Sequence, residues 1–454
     1  MSNNQVQSEQ EYIRSLADLC IQNDSIDLSL YTKYDVKRGL RDLDGNGVLT
    51  GLTEISQVNA KKEVNGVLVP CEGELLYRGI NINEIVGGCL KDNRFGFEET
   101  VYLLLFGTLP DKRQLELFTA YLGEHRRLSR SFVRDVIMKS TGDNMMNMLA
   151  RCVLALYPYD SDPDNTSVQN VLRQSLNLIS VLPLISVYSY HAKNYFRDSD
   201  SLIIHPPVKE LSTAENILHT LRADSSYTQL EARVLDLALI IHAEHGGGNN
   251  STFTTRVVSS SGTDTYCAIS AALGSLKGPK HGGANIKVTQ MFEDLKKSVS
   301  DWKDDEEITR YLEKILAKEA FDRQGLIYGI GHAVYSVSDP RAELFRGFVE
   351  KLSAEKGRSD EFDLYRKVEL LAPVTVAQKR KMYKGVSANV DFYSGFAYQL
   401  LNLPPELFTP IFAISRVAGW SAHRIEELIN ASKIIRPAYK GIGERKEYIP
   451  LEER

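Results

Sequence analysis

The sequence is short of cysteine, net charge and long apolar runs, and each shortage closes off a class of protein. Its five cysteines among 454 residues (Cys20, Cys71, Cys89, Cys152 and Cys267) are scattered, odd in number and never spaced CxxC. They make neither a disulfide framework nor a zinc site and read as reduced thiols. The formal net charge is only −5. A general nucleic-acid binder would carry a basic balance, so an anionic ligand must be met by local cations rather than by a global field. The longest apolar stretch, around residues 234–243, is broken by Asp236 and too short to span a bilayer. The opening MSNNQVQSEQEYIRSL lacks the apolar core of a secretory signal and does not read as a transit peptide. No GxGxxG follows a strand and no Walker A motif occurs, so a nucleotide cofactor is not indicated. A cytoplasmic protein without membrane or nucleic-acid partners is the expectation.

What remains is an ordinary globular composition, 43% hydrophobic and 25% charged, on a chain long enough for more than one lobe. Most of it reads as helix. In GFEETVYLLLFGTLP, Phe97, Val101, Leu104 and Leu105 recur at helical spacing until Gly107 and Pro110 stop the run. EARVLDLALIIHAEH is apolar nearly all round, the mark of a buried helix, and ends at the glycines 246–248. CAISAALGSLKG is rich in small residues and reads as a central or interface helix. Strand character is confined to residues 48–79, where a polar turn KKEVN separates two strand-like runs. Residues 353–364 read as a solvated connection. The final IIRPAYKGIGERKEYIPLEER has no helical period and is expected to be an extended arm packed on something else.

RDLDGNGVLTGLTE offers Asp42, Asp44, Asn46 and Gly47 at the first positions of a calcium loop, but position twelve is Thr53 where a bidentate Glu is needed. We read it as a polar turn. The segments that carry chemistry lie elsewhere: HAEHGGGNNS (242–251), GPKHGGAN (278–285), GIGHAVYSVSDPR (329–341) and ANVDFYSG (388–395). Each sets a proton-transfer side chain beside glycines, where backbone can approach a ligand closely. Three imidazoles and a carboxylate suit acid–base work on a carbonyl compound. His281 precedes a helix, whose dipole would keep the ring neutral, and a neutral imidazole can still donate to a developing enolate. Taken alone, a capping or core histidine fits His281 as well. Asp391 lies between Val390 and Phe392, which would desolvate it and raise its basicity. It could equally cap the helix that follows.

In combination and in this order, GPxHGxAN, GxGHxVxxxxDPR and NVDxxSG resemble the citrate synthase family from about residue 49 to 437, and LLYRGINI and FEETVYLLLFGTLP resemble its N-terminal half. The resemblance implies a mainly α, two-domain helical fold with a small N-terminal β-hairpin. Residues 1–48 would be a helical extension, 49–283 with 402–454 a large dimer-forming lobe, and 284–401 a small lobe. It implies acyl-CoA:oxaloacetate chemistry with no cofactor beyond the coenzyme A thioester substrate. By the same resemblance, His281 hydrogen-bonds the thioester oxygen of acetyl-CoA, with Ser251 orienting its ring. Asp391 removes a methyl proton, and His332 polarises the oxaloacetate ketone. Arg341, Arg416 and Arg436 would bind the dicarboxylate with His245 and Asn249, Arg436 being supplied by the partner subunit of a homodimer. Planar arginine forks suit carboxylates better than lysine does. Gly329, Ile330 and Gly331 are candidates for coenzyme A contacts by resemblance. Lys381 and Lys384 in QKRKMYKG form a possible phosphate patch.

Two departures stand out. The family's HxDHExxN reads here as His242-Ala243-Glu244-His245-Gly246-Gly247-Gly248-Asn249, so Glu replaces Asp and Gly replaces Glu. His242 then reads as a buried structural residue. Many bacterial relatives carry Arg after the second histidine, where this chain has Ala333. A 2-methylcitrate synthase using propionyl-CoA is the near alternative, since one methylene in an apolar pocket is worth only about 1–3 kcal/mol. A non-catalytic assembly module is the alternative of another class, and the presence of His281, His332 and Asp391 argues against it.

Overall fold

The computed structural model describes residues 3–42, 45–331, 334–380, 385–430 and 433–454. The chain divides into two compact units, residues 1–52 and 53–454. The first holds helix α1 (Asn3–Asp24), a short helix Ser29–Lys33 and a turn. In that turn Asp42 Oδ1 accepts the Asn46 backbone N–H at 2.7 Å and Oδ2 its side-chain amide at 3.1 Å. The carboxylate of the calcium-like loop therefore caps its own turn.

The second unit opens with an antiparallel sheet, β1 (Ser56–Val64), β2 (Val67–Tyr77) and β3 (Ile80–Asn81), in the order β1-β2-β3. Pairing runs from Ser56↔Tyr77 to Val64↔Val67, with a bulge between Asn59 and Lys61. The turn is thus not KKEVN but Asn65-Gly66, both at positive φ (53° and 79°). Asn-Gly adopts this tight primed turn at little steric cost, and it outweighs the polarity of the residues before it.

Helices make up nearly all the rest. α2 (Phe97–Phe106) ends on Gly107 at φ 81°. α3 (Val168–Arg197) is long and apolar enough to cross a membrane by length and composition, a run the sequence reading passed over, but 83% of its most apolar window is buried in protein. α4 (Gln229–His242) opens on a Thr228–Glu231 capping box. The polar break in its apolar run, Asp236, accepts the N–H groups of Gly96 (2.8 Å) and Phe97 (3.2 Å), so it caps α2 from a distance. Burial, with Glu98 nearby, pushes its carboxyl up to about 7.

Helices α5 (Asn250–Ser259), α6 (Thr265–Lys277) and α7 (Ala284–Ser298) follow. Then come α8 (Pro340–Glu355), α9 (Ser359–Arg380), α10 (Val390–Leu400) and the buried α11 (Phe408–Asn430). Residues 353–364 are therefore not a connection. α8 and α9 fill all but three of them, because charged residues on an outward helix face mimic a loop in composition. Beyond residue 432 the chain has neither helix nor strand and, apart from the half-buried Ile435, is exposed up to a short 3₁₀ turn, Leu451–Glu453.

Candidate active site

Four helix ends and one helix interior supply the site. Asn249, not Asp391 or His281, shows how the segment boundaries are set. Its side chain N-caps α5 by accepting the Ser251 N–H at 3.2 Å and also accepts the Ser251 hydroxyl at 2.9 Å. Ser251 Oγ in turn accepts Trp420 Nε1–H from α11 at 3.1 Å and meets His281 Nε2 at 3.1 Å. A hydroxyl has one proton and two lone pairs. With that proton on Asn249, the imidazole meets Ser251 as an Nε2–H donor. Turned toward His281, the proton makes Nε2 the acceptor and leaves the ring's own proton on Nδ1. The neighbours of Ser251 thus set the tautomer of His281. Burial, then the positive charge of Arg416, lowers His281 to about 4. The ring is neutral, as the sequence led us to expect, with desolvation and the Arg416 cation as its causes.

Asp391 sits in the first turn of α10, and Asn389 is that helix's N-cap, accepting the Asp391 N–H at 3.0 Å. The capping role being taken, the Asp391 carboxylate is left for other work. Burial raises it to about 6, with Asp339 pushing the same way and Arg341 and Arg416 opposing. The Gly329–Gly331 turn is tied beside it by an antiparallel bridge between Ile330 and Ala388 and by Asn389 Nδ2–H on the Gly331 carbonyl at 2.8 Å. Gly329 has φ 80°, and a Cβ there would lie 2.9 Å from Phe392 Cδ2, so only glycine lets the turn pack against α10.

Arg416 is wholly buried in α11. Its Nε–H donates to the His242 carbonyl at 2.6 Å, its guanidinium lies 4.6 Å from the Phe412 ring centre, and Nη1 and Nη2 have no hydrogen-bond partner among the described residues. A buried cation with two unused donors is costly unless an anion completes it. Burial lowers Arg416 to about 10, still well above neutrality. Arg341, also buried, is held by Asp339 through Nε (3.0 Å) and Nη2 (2.8 Å). His242 closes the cluster. It is fully buried at the end of α4, 4.6 Å from Phe412, with both ring nitrogens unpartnered among the described residues, and burial together with Arg341 and Arg416 keeps it neutral. His245 packs edge-on against Tyr335 at 5.6 Å.

Glu244, the departure from the family pattern, is buried and accepts from Ser56 Oγ (2.9 Å), the Gly246 N–H (2.6 Å) and His423 Nε2 (3.0 Å). Arg256 donates to His423 Nδ1 at 2.8 Å, which places the imidazole proton on Nε2, facing Glu244. A side chain on Gly419 would collide with Glu244 Oε2. The longer carboxylate is thus accommodated by a bare helix position.

The structure therefore gathers His281, Asp391, Arg341, Arg416, Ser251 and Asn249 into one neighbourhood, with His245 alongside through Tyr335. Arg436 is exposed in the extended tail and makes no hydrogen bond or ion pair among the described residues. His332, Lys381 and Lys384 lie outside the described residues, as does Ala333. No cluster of His, Cys, Asp and Glu suited to a metal occurs among the described residues. Sequence reasoning missed Phe412, Asp339, Trp420 and the Glu244–His423–Arg256 chain. Only two had a local signal: Phe412 stands one turn before Arg416, and Asp339 precedes a proline at a helix start.

The family model described as "Citrate synthase, C-terminal domain" matches residues 42–438. A citrate synthase from Synechocystis sp. is 35% identical over 386 residues, covering 84% of this chain and 89% of that protein. 2-Methylcitrate synthase 1 of Corynebacterium glutamicum is 32% identical, over 92% of this chain and 98% of its own length. Among solved structures, the ternary complex of the Thermoplasma acidophilum citrate synthase with carboxymethyl coenzyme A and oxaloacetate superposes with a TM-score of 0.72 at 26% identity, covering 92% of this chain and 99% of that one.

Proposed function

The chain belongs to the citrate synthase family, and from that premise we propose how its site condenses acetyl-CoA with oxaloacetate and water to give citrate and coenzyme A. The observation that carries the reading is Arg416, a buried guanidinium whose terminal nitrogens have no partner among the described residues, beside a basic carboxylate and a neutral imidazole. One carboxylate of oxaloacetate takes the two free Arg416 donors, and Arg341 takes the other. The acetyl thioester oxygen lies against His281 Nδ1, with the Ser251 proton turned to Nε2 so that Nδ1–H donates. Asp391 removes a methyl proton, and the enolate so formed is held as an enol-like species by the hydrogen bond from the Nδ1–H of the neutral imidazole. Its carbon attacks the oxaloacetate ketone as the C–C bond forms, and the new alkoxide takes a proton from His332. Water then cleaves the citryl thioester, releasing the thiol of coenzyme A.

Several finer readings belong with this proposal. Residues 284–401 form a small lobe that closes over the substrates and keeps water from the thioester until the C–C bond exists. The chain works as a cytoplasmic homodimer, with the exposed arm carrying Arg436 to the partner's site. Coenzyme A is held by Gly329, Ile330, Gly331, Lys381 and Lys384, and no further cofactor takes part. The similarity to a 2-methylcitrate synthase makes propionyl-CoA the competing substrate. The test is thiol release from acetyl-CoA and from propionyl-CoA, each with and without oxaloacetate. We expect release only with oxaloacetate and faster with acetyl-CoA. Oxaloacetate-independent release rules out condensation, and faster turnover of propionyl-CoA makes the enzyme a 2-methylcitrate synthase.

A further inference from the structure

We propose that Asp339 is a positioning residue that yokes the oxaloacetate-binding Arg341 to the base Asp391 through a single carboxylate. The inference rests on the condensation reading above and adds a part to it. Asp339 is almost completely buried. Its Oδ1 accepts the Arg341 backbone N–H and Nε–H, both at 3.0 Å, and its Oδ2 accepts Arg341 Nη2–H at 2.8 Å and the Val390 N–H at 3.3 Å. Pro340 between them has no N–H to compete and pre-sets the first turn of α8. One anion thus stands at the starts of two helices, α8 and α10, where the dipoles favour it. The residue after Val390 is Asp391.

Two consequences follow from this geometry. The guanidinium plane of Arg341 is fixed by the edge that Asp339 occupies, so its remaining edge is the one presented to a ligand carboxylate. The amide that sets the start of α10 is fixed by the same oxygen, so a shift of Arg341 is felt one residue from Asp391. Charge follows the same route. Among the described residues, the groups facing Asp391 are Arg341 and Asp339 from the α8 start, Arg416 from α11 and Tyr398 from its own helix. Arg341 weakens Asp391 as a base and Asp339 strengthens it. A substrate carboxylate that neutralises Arg341 therefore leaves Asp339 to act on Asp391 unopposed from that side. Oxaloacetate binding and base strength rise together, which favours proton abstraction only once the acceptor ketone is in place.

The test is the pH profile of kcat/KM for acetyl-CoA at saturating oxaloacetate, with KM for oxaloacetate, in the full-length wild type, Asp339→Asn and Asp339→Glu. In Asp339→Asn the negative charge that strengthens Asp391 is gone while bound oxaloacetate still neutralises Arg341, so the shift reads the Asp339 charge alone. The acid limb should move down by about one pH unit and KM for oxaloacetate should rise about tenfold or more. Asp339→Glu keeps the charge but displaces it, so the limb should stay while KM rises. If the limb and KM of Asp339→Asn match wild type, Asp339 is a helix cap and nothing more. Should Asp339→Asn fail to fold by circular dichroism, Asp339→Glu decides, and an unchanged KM overturns the proposal. A wild type without oxaloacetate-dependent thiol release takes down the condensation reading itself, a distinguishable result.

Discussion

Replacing Arg416 by glutamine should separate stability from function. Gln Nε2 stands as many bonds from Cα as Arg Nε does, so it can keep the donor on the His242 carbonyl, now made at 2.6 Å. What disappears is a fully buried charge and two NH₂ groups that have no partner among the described residues. Glu244 loses a nearby cation but keeps its three hydrogen-bond partners. A buried ion carries a desolvation penalty on the order of several kcal/mol, which the neutral amide does not carry. Without ligand, the variant should therefore melt no lower than wild type. For oxaloacetate the two lost charge-assisted hydrogen bonds are worth about 1.5–3 kcal/mol each, or roughly 10²–10⁴-fold in affinity together. Thermal melts with and without oxaloacetate, backed by calorimetric titration, read both quantities. Wild type at about 100 Kd should gain about 2.7 kcal/mol on binding, and the variant at the same concentration almost nothing. A variant that is much less stable unliganded yet still stabilised by oxaloacetate would refute the reasoning, since Arg416 would then be a structural residue.

Asp391→Asn should lower thiol release by at least about 10²–10⁴-fold while oxaloacetate still raises the melting temperature. In wild type, kcat/KM should fall as pH drops through about 6, where Asp391 takes up a proton, and a flat profile down to pH 5 removes it as the base. Asp236 and Asp391 are raised to about 7 and about 6, against about 3.9 in an unfolded chain. The folded protein holds protons there that the unfolded chain has released, so this part of the stability is complete below about pH 4 and is lost as pH rises through 6 to 7. Asp236→Asn should flatten the dependence of the urea midpoint on pH between 5 and 8, and an unchanged slope counts against the assignment. Gly73→Ala should depress kcat with the hairpin intact. Its Cβ would collide with the Ser338 carbonyl and lie 2.6 Å from Tyr335 Cδ1, displacing the loop that leads to Asp339, and wild-type kinetics would show that the loop tolerates the shift.

The hairpin, the buried helix over residues 229–242 and the glycine-flanked histidines were legible because each depends on local chemistry. Strand alternation, apolar periodicity and bare backbone are all written in neighbouring residues. The boundaries were less so. Polar KKEVN looked like a turn, yet Lys61–Val64 continue the ladder because Asn65-Gly66 offers the cheaper reversal. Charged residues 353–364 looked like a loop because composition does not reveal which side of a helix faces water. The neutral state of His281 was anticipated, but the burial of its ring and the charge of Arg416, more than 130 positions away, could not be read from its neighbours. Asp339, Glu244, His423 and Phe412 owe their places to helices that meet only in the folded chain, and no spacing rule announces such a meeting.

The most direct test of the account is the structure of the oxaloacetate complex. One substrate carboxylate should lie across Arg416 Nη1 and Nη2, each at about 2.7–2.9 Å, with Asp391 and His281 facing the space beside the ketone. Oxaloacetate bound elsewhere, with the Arg416 guanidinium turned onto a protein acceptor, would contradict it.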